Sequence, residues 1–271
     1  MKSELMEVLK VISNNRIELI KCLTEPKTHT EICRTSNLSP STVSRCLNLL
    51  QKYGIVNKNE DKYVLTGIGY FLMDYLDNLN EVVEFDFLKK SSQFAKFIPA
   101  ELKPGIVTLK TAEKFEKPYE VVPYALKDFE RMHSYALFAD GIVAEELIRL
   151  VWIKCMGGVR VRAIMLSRSF KKKITTGVKV IKMMEAEGYS SSEVISALRT
   201  NLKVKVAELP IQLGILDGKV VYFQVMPDNT LESPAYISRD RKCILWAENL
   251  FEHCWIVADP ADYVSKLEKN L

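Results

Sequence analysis

Apolar and polar residues follow two separate helical stripes in residues 38–56. The apolar positions recur at steps of three and four, which is typical of a helix with one buried face; they are Val43, Cys46, Leu47 and Leu50. Ser39 is suited to cap the start of this helix, Pro40 suits its first turn, and Gly54 after Tyr53 is suited to end it. The pattern therefore predicts an amphipathic helix with a defined start, end and inward face.

The opposite face of this helix carries hydroxyl, amide and cationic side chains and no carboxylate. Its residues are Ser41, Thr42, Ser44, Arg45, Asn48 and Lys52. Groups of this kind suit the phosphate oxygens and base edges of a DNA major groove. An amphipathic surface helix without such a role would show the same periodicity, so the flanking segments decide between the two interpretations.

Both flanking segments favour DNA binding. Residues 29–37 predict a short helix with Ile32 and Cys33 inward, separated by a turn from the next helix as in a helix-turn-helix. Residues 54–65 predict a strand, a polar turn over residues 57–61 and a second strand, which together form a wing. We expect the DNA-binding residues to be Ser39, Ser41, Thr42, Ser44, Arg45, Asn48, Lys52, Lys58 and Lys62.

Further helical stripes lie on both sides of this region. Two upstream stripes provide a scaffold and contain Leu5, Val8, Leu9 and Ile12, then Ile17, Leu19, Ile20 and Leu23. After the wing, Thr66 can cap a long helix with a heptad-like apolar seam, formed by Ile68, Leu72, Tyr75, Leu79 and Val82. We expect this seam to join two copies of the chain, because one recognition helix and one wing cover only a half-site. Packing of the seam on the protein's own second domain is the alternative.

The second half alternates between strand-like and helical patterns, which is typical of an α/β domain. Apolar runs and strands lie at residues 121–124, 136–140, 159–166, 202–209 and, as a pair turned at Asp217 and Gly218, 210–224. Helical patterns lie at residues 141–154, 179–186, 191–200 and 239–258. Proline and glycine in residues 98–105 predict a boundary. The expected divisions are a DNA-binding domain (1–67), a helical dimerisation and linker segment (68–97) and an effector domain (98–271).

Composition narrows the class of protein. The length of 271 residues suits two domains, and the net charge of +4 is too small to indicate a nucleic-acid partner by itself. Six cysteines without a CxxC pair favour a reduced, cytoplasmic protein. Residues 1–10 hold two glutamates and no apolar core, and no apolar run approaches the roughly 18 residues of a membrane span. We therefore expect no membrane partner.

The most one-sided charge distribution lies in residues 154–184, with nine Lys or Arg residues and no Asp or Glu. Arg160 and Arg162 alternate on one predicted strand and therefore point to the same side. A local positive potential of this kind favours an anionic or polar small-molecule effector. The expected ligand-binding residues are Arg160, Arg162, Arg168, Tyr222 and Trp246. A surface strand followed by a lysine-rich loop is the alternative.

Two sets of motifs resemble known families. Residues 4–80 resemble the winged-helix domain of ArsR-type and related archaeal regulators. The motifs that carry this resemblance are a turn, then Ser-Thr-Val-Ser-Arg, then an apolar pair, and finally Gly-Ile-Val. The second half is similar to the phospholipase-D-like effector fold of TrmB-type regulators and methanogenesis regulators. The motifs that carry this similarity are Gly-Gly-Val-Arg-Val-Arg-Ala-Ile-Met-Leu after a Leu-rich helix and a later Leu-Asp-Gly-Lys-Val-Val. The resemblance implies an α+β protein with an N-terminal winged helix-turn-helix domain, a long linker helix and a C-terminal α/β phospholipase-D-like effector domain.

The resemblance also implies that catalysis is absent. Active members carry HxK and, after four more residues, Asp; if that aspartate is Asp217, the first two positions hold Pro210 and Gln212, which supply neither nucleophile nor cation. Asp217 is also explained as an Asp-Gly hairpin residue. No GxGxxG, GxxxxGK[ST], GxSxG or HExxH motif occurs. We expect no enzyme activity and no cofactor.

The cysteines leave one alternative open. Cys33 and Cys46 occupy apolar positions on neighbouring helices, which suits small core residues, while a thiol or metal sensor like those of ArsR relatives is the alternative. Cys243 and Cys254 are eleven residues apart on one helix, too far to share an ion. The sequence thus predicts a dimeric, sequence-specific transcriptional regulator with a small-molecule-sensing domain. A thiol- or metal-responsive repressor and a nucleic-acid-processing enzyme are the alternatives.

Overall fold

The computed structural model describes residues 12–140, 144–226 and 233–271. The predicted helical positions Leu5, Val8 and Leu9 lie outside the described residues. The chain divides into two compact units, Met1–Glu81 and Val82–Leu271.

Apolar burial explains why this division differs from the predicted boundaries at residues 67 and 97. Leu72 and Met73 of the long helix after the wing pack on the core of the first unit. Phe87 and Phe94, in the segment predicted as a linker, are buried in a core of the second unit. The long helix therefore belongs with the first unit, and the residues that follow it belong with the second.

Helices and a small antiparallel sheet make up the described part of the first unit. Its elements are α1 (Asn14–Cys22), β1 (Lys27–Thr28), α2 (His29–Thr35), α3 (Pro40–Lys52), β2 (Val56–Asn59), β3 (Lys62–Leu65) and α4 (Gly67–Val82). The strand order is β1-β3-β2, with both pairs antiparallel. The helices and the hairpin share one core, whose fully buried residues include Leu19, Ile20, Leu23, Ile32, Val43, Leu47, Leu50, Ile55 and Val56.

Short-range hydrogen bonds fix where these helices begin. Thr28 and Glu31 form a reciprocal capping box at the start of α2, with the Thr28 N–H donating to Glu31 Oε2 at 2.7 Å. Hydrogen bonds from the Thr28 backbone and side chain lower the pKa of Glu31. Thr66 caps α4 as predicted, since its Oγ1 accepts from the Gly69 N–H at 3.1 Å.

The second unit contains a mixed α/β sheet. Its helices are α5 (Asp86–Lys90), α6 (Ser92–Phe97), α7 (Val122–Arg131), α8 (Glu145–Met156), α9 (Ser167–Ala186), α10 (Ser191–Asn201), α11 (Arg241–Val257) and α12 (Tyr263–Glu268). Its strands are β4 (Glu113–Phe115), β5 (Tyr135–Asp140), β6 (Arg160–Leu166), β7 (Leu202–Ala207), β8 (Ile211–Leu216), β9 (Val220–Val225), β10 (Ala235–Ser238) and β11 (Asp259–Pro260). Within the described residues, the strand order is β11-β7-β6-β5-β8-β9-β10-β4, with β5, β6 and β7 parallel and the other pairings antiparallel.

Helices cover both faces of this sheet, and each face has its own core. Helices α5, α6 and α11, with the 3₁₀ segments Ala100–Leu102 and Pro104–Thr111, lie on one face. Helices α7, α8, α9, α10 and α12 lie on the other. Successive residues of a strand point to opposite faces, so neighbours such as Tyr222 and Phe223 enter different cores.

Most predicted elements of this unit are confirmed, and three differ. Residues 121–124 complete a 3₁₀ turn and begin α7, because Pro123 suits the first turn of a helix. The helix predicted at residues 179–186 begins at Ser167, so the lysines at 171–173 lie in a helix instead of a loop. The helix at residues 239–258 is followed by β11 and α12. Residues 141–143 of another predicted helix lie outside the described residues.

Candidate nucleic-acid interface and effector region

The start of α3 is fixed by Ser39. Its Oγ accepts a hydrogen bond from the Thr42 N–H at 3.3 Å and lies 2.8 Å from Thr42 Oγ1. Pro40 occupies the first turn, as predicted. The hydroxyl groups of Ser39 and Thr42 are thus engaged with each other, and they position the helix.

The two predicted faces of α3 are confirmed by burial. Val43, Cys46, Leu47 and Leu50 are buried in the core of the first unit. Exposed on the opposite side are Ser41, Ser44, Arg45, Asn48 and Lys52, whereas Thr42 is half-buried. The helix contains no Asp or Glu, so its exposed face offers hydrogen-bonding groups and positive charge.

His29 contacts this face and was not among the sequence-predicted site residues. Its Nε2 lies 2.8 Å from Ser44 Oγ, and its Nδ1 lies 3.7 Å from Cys33 Sγ. The available signal was its position as the first residue of α2, one helical turn before Cys33. The contact joins the side chains of α2 to the polar face of α3.

The predicted wing is a tighter hairpin than expected. Asn57, Lys58 and Asn59 belong to β2, so only Glu60 and Asp61 form the turn. Glu60 has a positive φ of 56°, which matches the primed turns that suit two-residue hairpins.

The ladder register separates the two wing lysines. Lys58 is paired with Tyr63, and its Nζ lies 5.5 Å from the Tyr63 ring centroid. Lys62 is paired with Asn59. Adjacent pairs of a ladder point to opposite faces, so Lys58 and Lys62 lie on different sides of the hairpin.

Helix α4 carries an apolar face that the described residues do not cover. Its most exposed members are Ile68 (61%), Phe71 (69%), Tyr75 (65%) and Leu79 (58%). Their spacing of three and four places them on one side of the helix. Leu72, which the sequence assigned to the same seam, packs partly on the core of the first unit.

The predicted effector residues do not converge on one site. Arg162 forms a two-pronged ion pair with Glu252, with Nη1 2.5 Å from Oε1 and Nη2 3.0 Å from Oε2. Its guanidinium also lies 4.3 Å from the Trp255 ring centroid. The charge of Arg162 is therefore neutralised by α11 of the same chain.

The remaining cations of the basic stretch differ in environment. Arg168 approaches Glu208, with Nη1 3.5 Å from Oε2, and its N–H donates to Glu208 Oε1. Lys173 is buried, while Arg160 is exposed at the start of β6.

Tyr222 and Trp246 belong to opposite faces of the sheet and cannot wall one pocket. The Tyr222 O–H donates to Asp128 Oδ2 on the α7 side, where burial and then this hydrogen bond raise the pKa of the phenol. The Trp246 indole N–H donates to the Leu102 carbonyl at 2.9 Å on the α11 side.

The carboxylate of Asp217 accepts hydrogen bonds from three backbone N–H groups. Its Oδ1 accepts from the N–H groups of Ser134 (2.8 Å) and Tyr135 (3.0 Å), and its Oδ2 accepts from the His133 N–H at 3.1 Å. Burial raises the pKa of the carboxyl, but the three backbone donors outweigh it and hold the net pKa below its usual value. Its positive φ of 52°, next to Gly218 at 59°, confirms the Asp-Gly hairpin turn.

The cysteines do not assemble a metal site. No group of three or more His, Cys, Asp or Glu side chains suited to a metal ion occurs in the part of the chain that the structure describes. Cys243 and Cys254 are buried in the core beneath α11, and burial raises the pKa of Cys254 to about 12. Cys46 is buried as predicted, and Cys33 is half-buried.

By its described elements the chain is a two-unit protein of mixed α/β structure. No helix among the described residues is long and apolar enough to cross a membrane. Residues 8–86 match the family model described as HVO_A0261 N-terminal domain. This match spans most of the region for which the sequence indicated a resemblance to archaeal regulators. Comparison with curated protein sequences finds no match.

Solved structures show distant similarities. One is TrmBL2, an archaeal chromatin protein whose structure shows a novel mode of DNA binding: identity is 15%, coverage is 96% of this chain and 100% of that chain, and the TM-score is 0.42. Another is the S-adenosylmethionine-dependent methyltransferase SibL, at 13% identity, covering 76% of this chain and 62% of that chain with a TM-score of 0.27. The dimethyltransferase RosA from Streptomyces davawensis, at 13% identity, covers 76% and 64% with a TM-score of 0.24.

Proposed function

We propose that the chain is a DNA-binding transcriptional regulator whose first unit is a winged helix-turn-helix domain. The observation that carries the proposal is the exposed face of α3. It presents Ser41, Ser44, Arg45 and Asn48 at positions opposite a fully formed apolar face. Arg and Asn are the side chains that most often read guanine and adenine edges in a major groove.

The organisation of the first unit supports this use of α3. Helix α2 precedes α3 across a short turn in which Asn37 adopts a positive φ of 49°. The hairpin of β2 and β3 follows directly, and its lysines are exposed. In winged-helix proteins the second helix of the motif enters the major groove. The hairpin then lies where a lysine can reach a phosphate oxygen.

We further propose that the regulator is a homodimer joined through α4. Monomeric soluble proteins rarely leave a contiguous row of large apolar side chains in water. Ile68, Phe71, Tyr75 and Leu79 form such a row, each more than half exposed. A second copy of the same helix is a suitable cover, because its apolar row is self-complementary in a two-fold dimer.

The second unit is proposed to sense a small molecule without catalysis. Pro210 and Gln212 stand where the phospholipase-D resemblance expects His and Lys. Asp217, the third position, is engaged by hydrogen bonds from the backbone N–H groups of Ser134 and Tyr135. A nucleic-acid-processing activity would require groups that these positions do not supply.

A thiol-responsive regulator is a second candidate, favoured by one contact. Cys33 Sγ lies 3.7 Å from His29 Nδ1, and the other nitrogen of that ring contacts Ser44 on the proposed DNA-reading face. Oxidation of Cys33 would therefore disturb a side chain that touches α3. DNA affinity of the parent and of Cys33→Ser, measured with reductant and with hydrogen peroxide, distinguishes this regulator from a ligand-only one.

DNA binding is tested with the full chain and a random duplex library. Sequences enriched by repeated selection are labelled, and their affinities for the parent and Arg45→Ala are measured by fluorescence anisotropy. We expect Arg45→Ala to weaken binding by about 1 to 3 kcal/mol. The matched control is Lys21→Ala, because Lys21 belongs to α1 and pairs with Asp77 of α4. The absence of any enriched sequence, or equal affinity for Arg45→Ala, would contradict the proposal.

A further inference from the structure

A cavity of about 370 Å³ lies in the second unit, on the sheet face opposite α11. We call it the α7–α8 cavity, since α7 and α8 form its roof and β5, β6, β8 and β9 form its floor. The cavity opens to the surface beside Tyr119 and Val122, which are exposed. A cavity of this volume falls within the range of small-molecule binding sites.

The lining of the α7–α8 cavity is mostly apolar. Phe129, Phe138, Val161 and Met165 contribute aromatic and aliphatic surface from α7, β5 and β6. Its described lining contains no carboxylate, and Lys173 is its single cation. Lys173 is 5% exposed and already interacts with other groups of the protein. A charged ligand would lose its hydration here without a free counter-charge.

Gln212 gives the cavity an available polar group. It lies on β8 directly opposite Gln224 of β9, and both side chains line the cavity. The Gln224 amide donates to the Ser233 carbonyl at 2.8 Å. Tyr222, also in the lining, donates to Asp128. The Gln212 amide, by contrast, has no hydrogen-bond partner among the described residues, so its NH₂ group can donate and its carbonyl oxygen can accept hydrogen bonds in the cavity.

We infer that the α7–α8 cavity binds a neutral, mainly apolar small molecule carrying one carbonyl, hydroxyl or amide group, which hydrogen-bonds to Gln212. The apolar body of such a ligand fills the space beneath α7 and α8. This ligand class differs from the anionic effector expected from the sequence, and the site lies on the other face of the sheet from Arg162. The inference deepens the proposed sensing role of the second unit and rests on it only for any effect on DNA.

The scattered lining of the cavity explains why the sequence analysis named only Tyr222 among its residues as ligand-binding. The lining comes from segments that are far apart in the chain, and each apolar residue is indistinguishable from a core residue by periodicity. Gln212 marks the site because a polar side chain occupies an inward position of a strand whose neighbours Ile211 and Leu213 are buried.

Binding is tested on the full chain with prodan, a neutral dialkylaminonaphthyl ketone whose emission shifts to the blue in apolar surroundings. We expect saturable one-to-one binding with a blue shift. Anilinonaphthalene sulfonate, an aromatic anion, should bind at least about tenfold more weakly because its charge must be desolvated. Gln212→Leu should weaken prodan binding by about two- to tenfold, the worth of one hydrogen bond.

Variants of α7 separate this cavity from other apolar surfaces, such as the exposed face of α4. Ala125→Phe places a ring in the cavity and should reduce prodan affinity by at least about tenfold. The matched control is Leu126→Phe, which adds bulk at the next position of α7, outside the cavity lining, and should bind like the parent. If circular dichroism shows that Ala125→Phe is unfolded, Val122→Trp replaces it, since Val122 lines the cavity and is 41% exposed.

Three results would overturn the inference: no saturable prodan binding, equal binding by the folded cavity-filling variants, or tighter binding of the sulfonate. DNA selection on the same preparations keeps the two proposals apart. If the chain binds prodan normally but selects no DNA sequence, only the proposed regulator is refuted. Normal DNA binding without prodan binding refutes only the inferred site.

Discussion

Replacing Asp217 by Asn tests whether this residue holds the sheet together or belongs to a catalytic motif. Asn retains the positive-φ preference that the turn requires, so the substitution changes the carboxylate and little else. The Asn oxygen can still accept from Ser134 and Tyr135, but the Asn NH₂ then faces the His133 N–H. One hydrogen bond is lost and two lose their charge assistance. Because the Asp217 side chain is only 6% exposed, we expect the free energy of unfolding to fall by about 2 to 4 kcal/mol at neutral pH.

The pH dependence of this loss follows from the lowered pKa of Asp217. A carboxyl whose pKa is lower in the folded state stabilises the fold fully above its unfolded pKa, near 3.9. That contribution is lost as pH falls through the lower, folded-state pKa. The parent and Asp217→Asn should therefore differ by a constant amount between about pH 5 and pH 7, and by progressively less below about pH 4.

Tryptophan fluorescence during urea unfolding measures this difference in the second unit alone. All three tryptophans, Trp152, Trp246 and Trp255, lie there. Asp259→Asn is the control, because Asp259 is an exposed carboxylate of the same unit, on the edge strand β11. The measurement is repeated in a His133→Asn background, since the His133 ring nitrogen lies 3.1 Å from the same carboxylate. An unchanged urea midpoint, or a loss that does not vary with pH, would refute the structural role.

Three further outcomes are expected. Because Lys58 and Lys62 lie on opposite faces of the hairpin, only one of the two single alanine variants should reduce the salt dependence of DNA binding, by about 0.9 in the log–log slope; equal changes for both would contradict the register. Tyr75→Glu with Leu79→Glu should give monomers by light scattering, because like charges would meet across the α4 contact, and an intact dimer would place the interface elsewhere. Arg162→Ala should lower the free energy of unfolding of the second unit in urea by about 1 to 2 kcal/mol, because the partly screened ion pair and the aromatic contact are lost. An unchanged free energy of unfolding would show that the guanidinium does not stabilise the fold.

Local chemistry made the first unit predictable from sequence. The cap at Ser39, the proline at position 40 and the apolar stripe of α3 all act within about four residues of one another, so the sequence displays them directly. The Asp217–Gly218 turn is local for the same reason. The wing was placed correctly but its turn was predicted too long, because Asn57 and Asn59 favour turns by propensity and are held in a strand by pairing with β3.

Contacts between distant residues account for what the sequence did not predict. The run of cations in residues 154–184 has no acidic residue nearby in the chain, yet Glu208 and Glu252 neutralise Arg168 and Arg162 from other elements. Local charge counting therefore overestimated the positive potential. Similarly, the sheet face on which α11 packs decides that Trp246 and Tyr222 lie on opposite sides, and this is a tertiary property that periodicity does not contain.

The packing of Gly69 sets the direction of α4 through a close backbone contact. A Cβ atom at this position would lie 2.3 Å from the Ile55 carbonyl oxygen, so the backbone of α4 lies directly against the connection between α3 and β2. Thr66 completes the joint, since its hydroxyl donates to the Gly54 carbonyl at 2.6 Å and accepts from the Gly69 N–H. In a dimer built on α4, this contact would fix the orientation of α3 relative to the dimer axis. Replacing Gly69 by Ala would then alter the distance between the two α3 helices of the proposed dimer, while every residue proposed to contact DNA stayed the same.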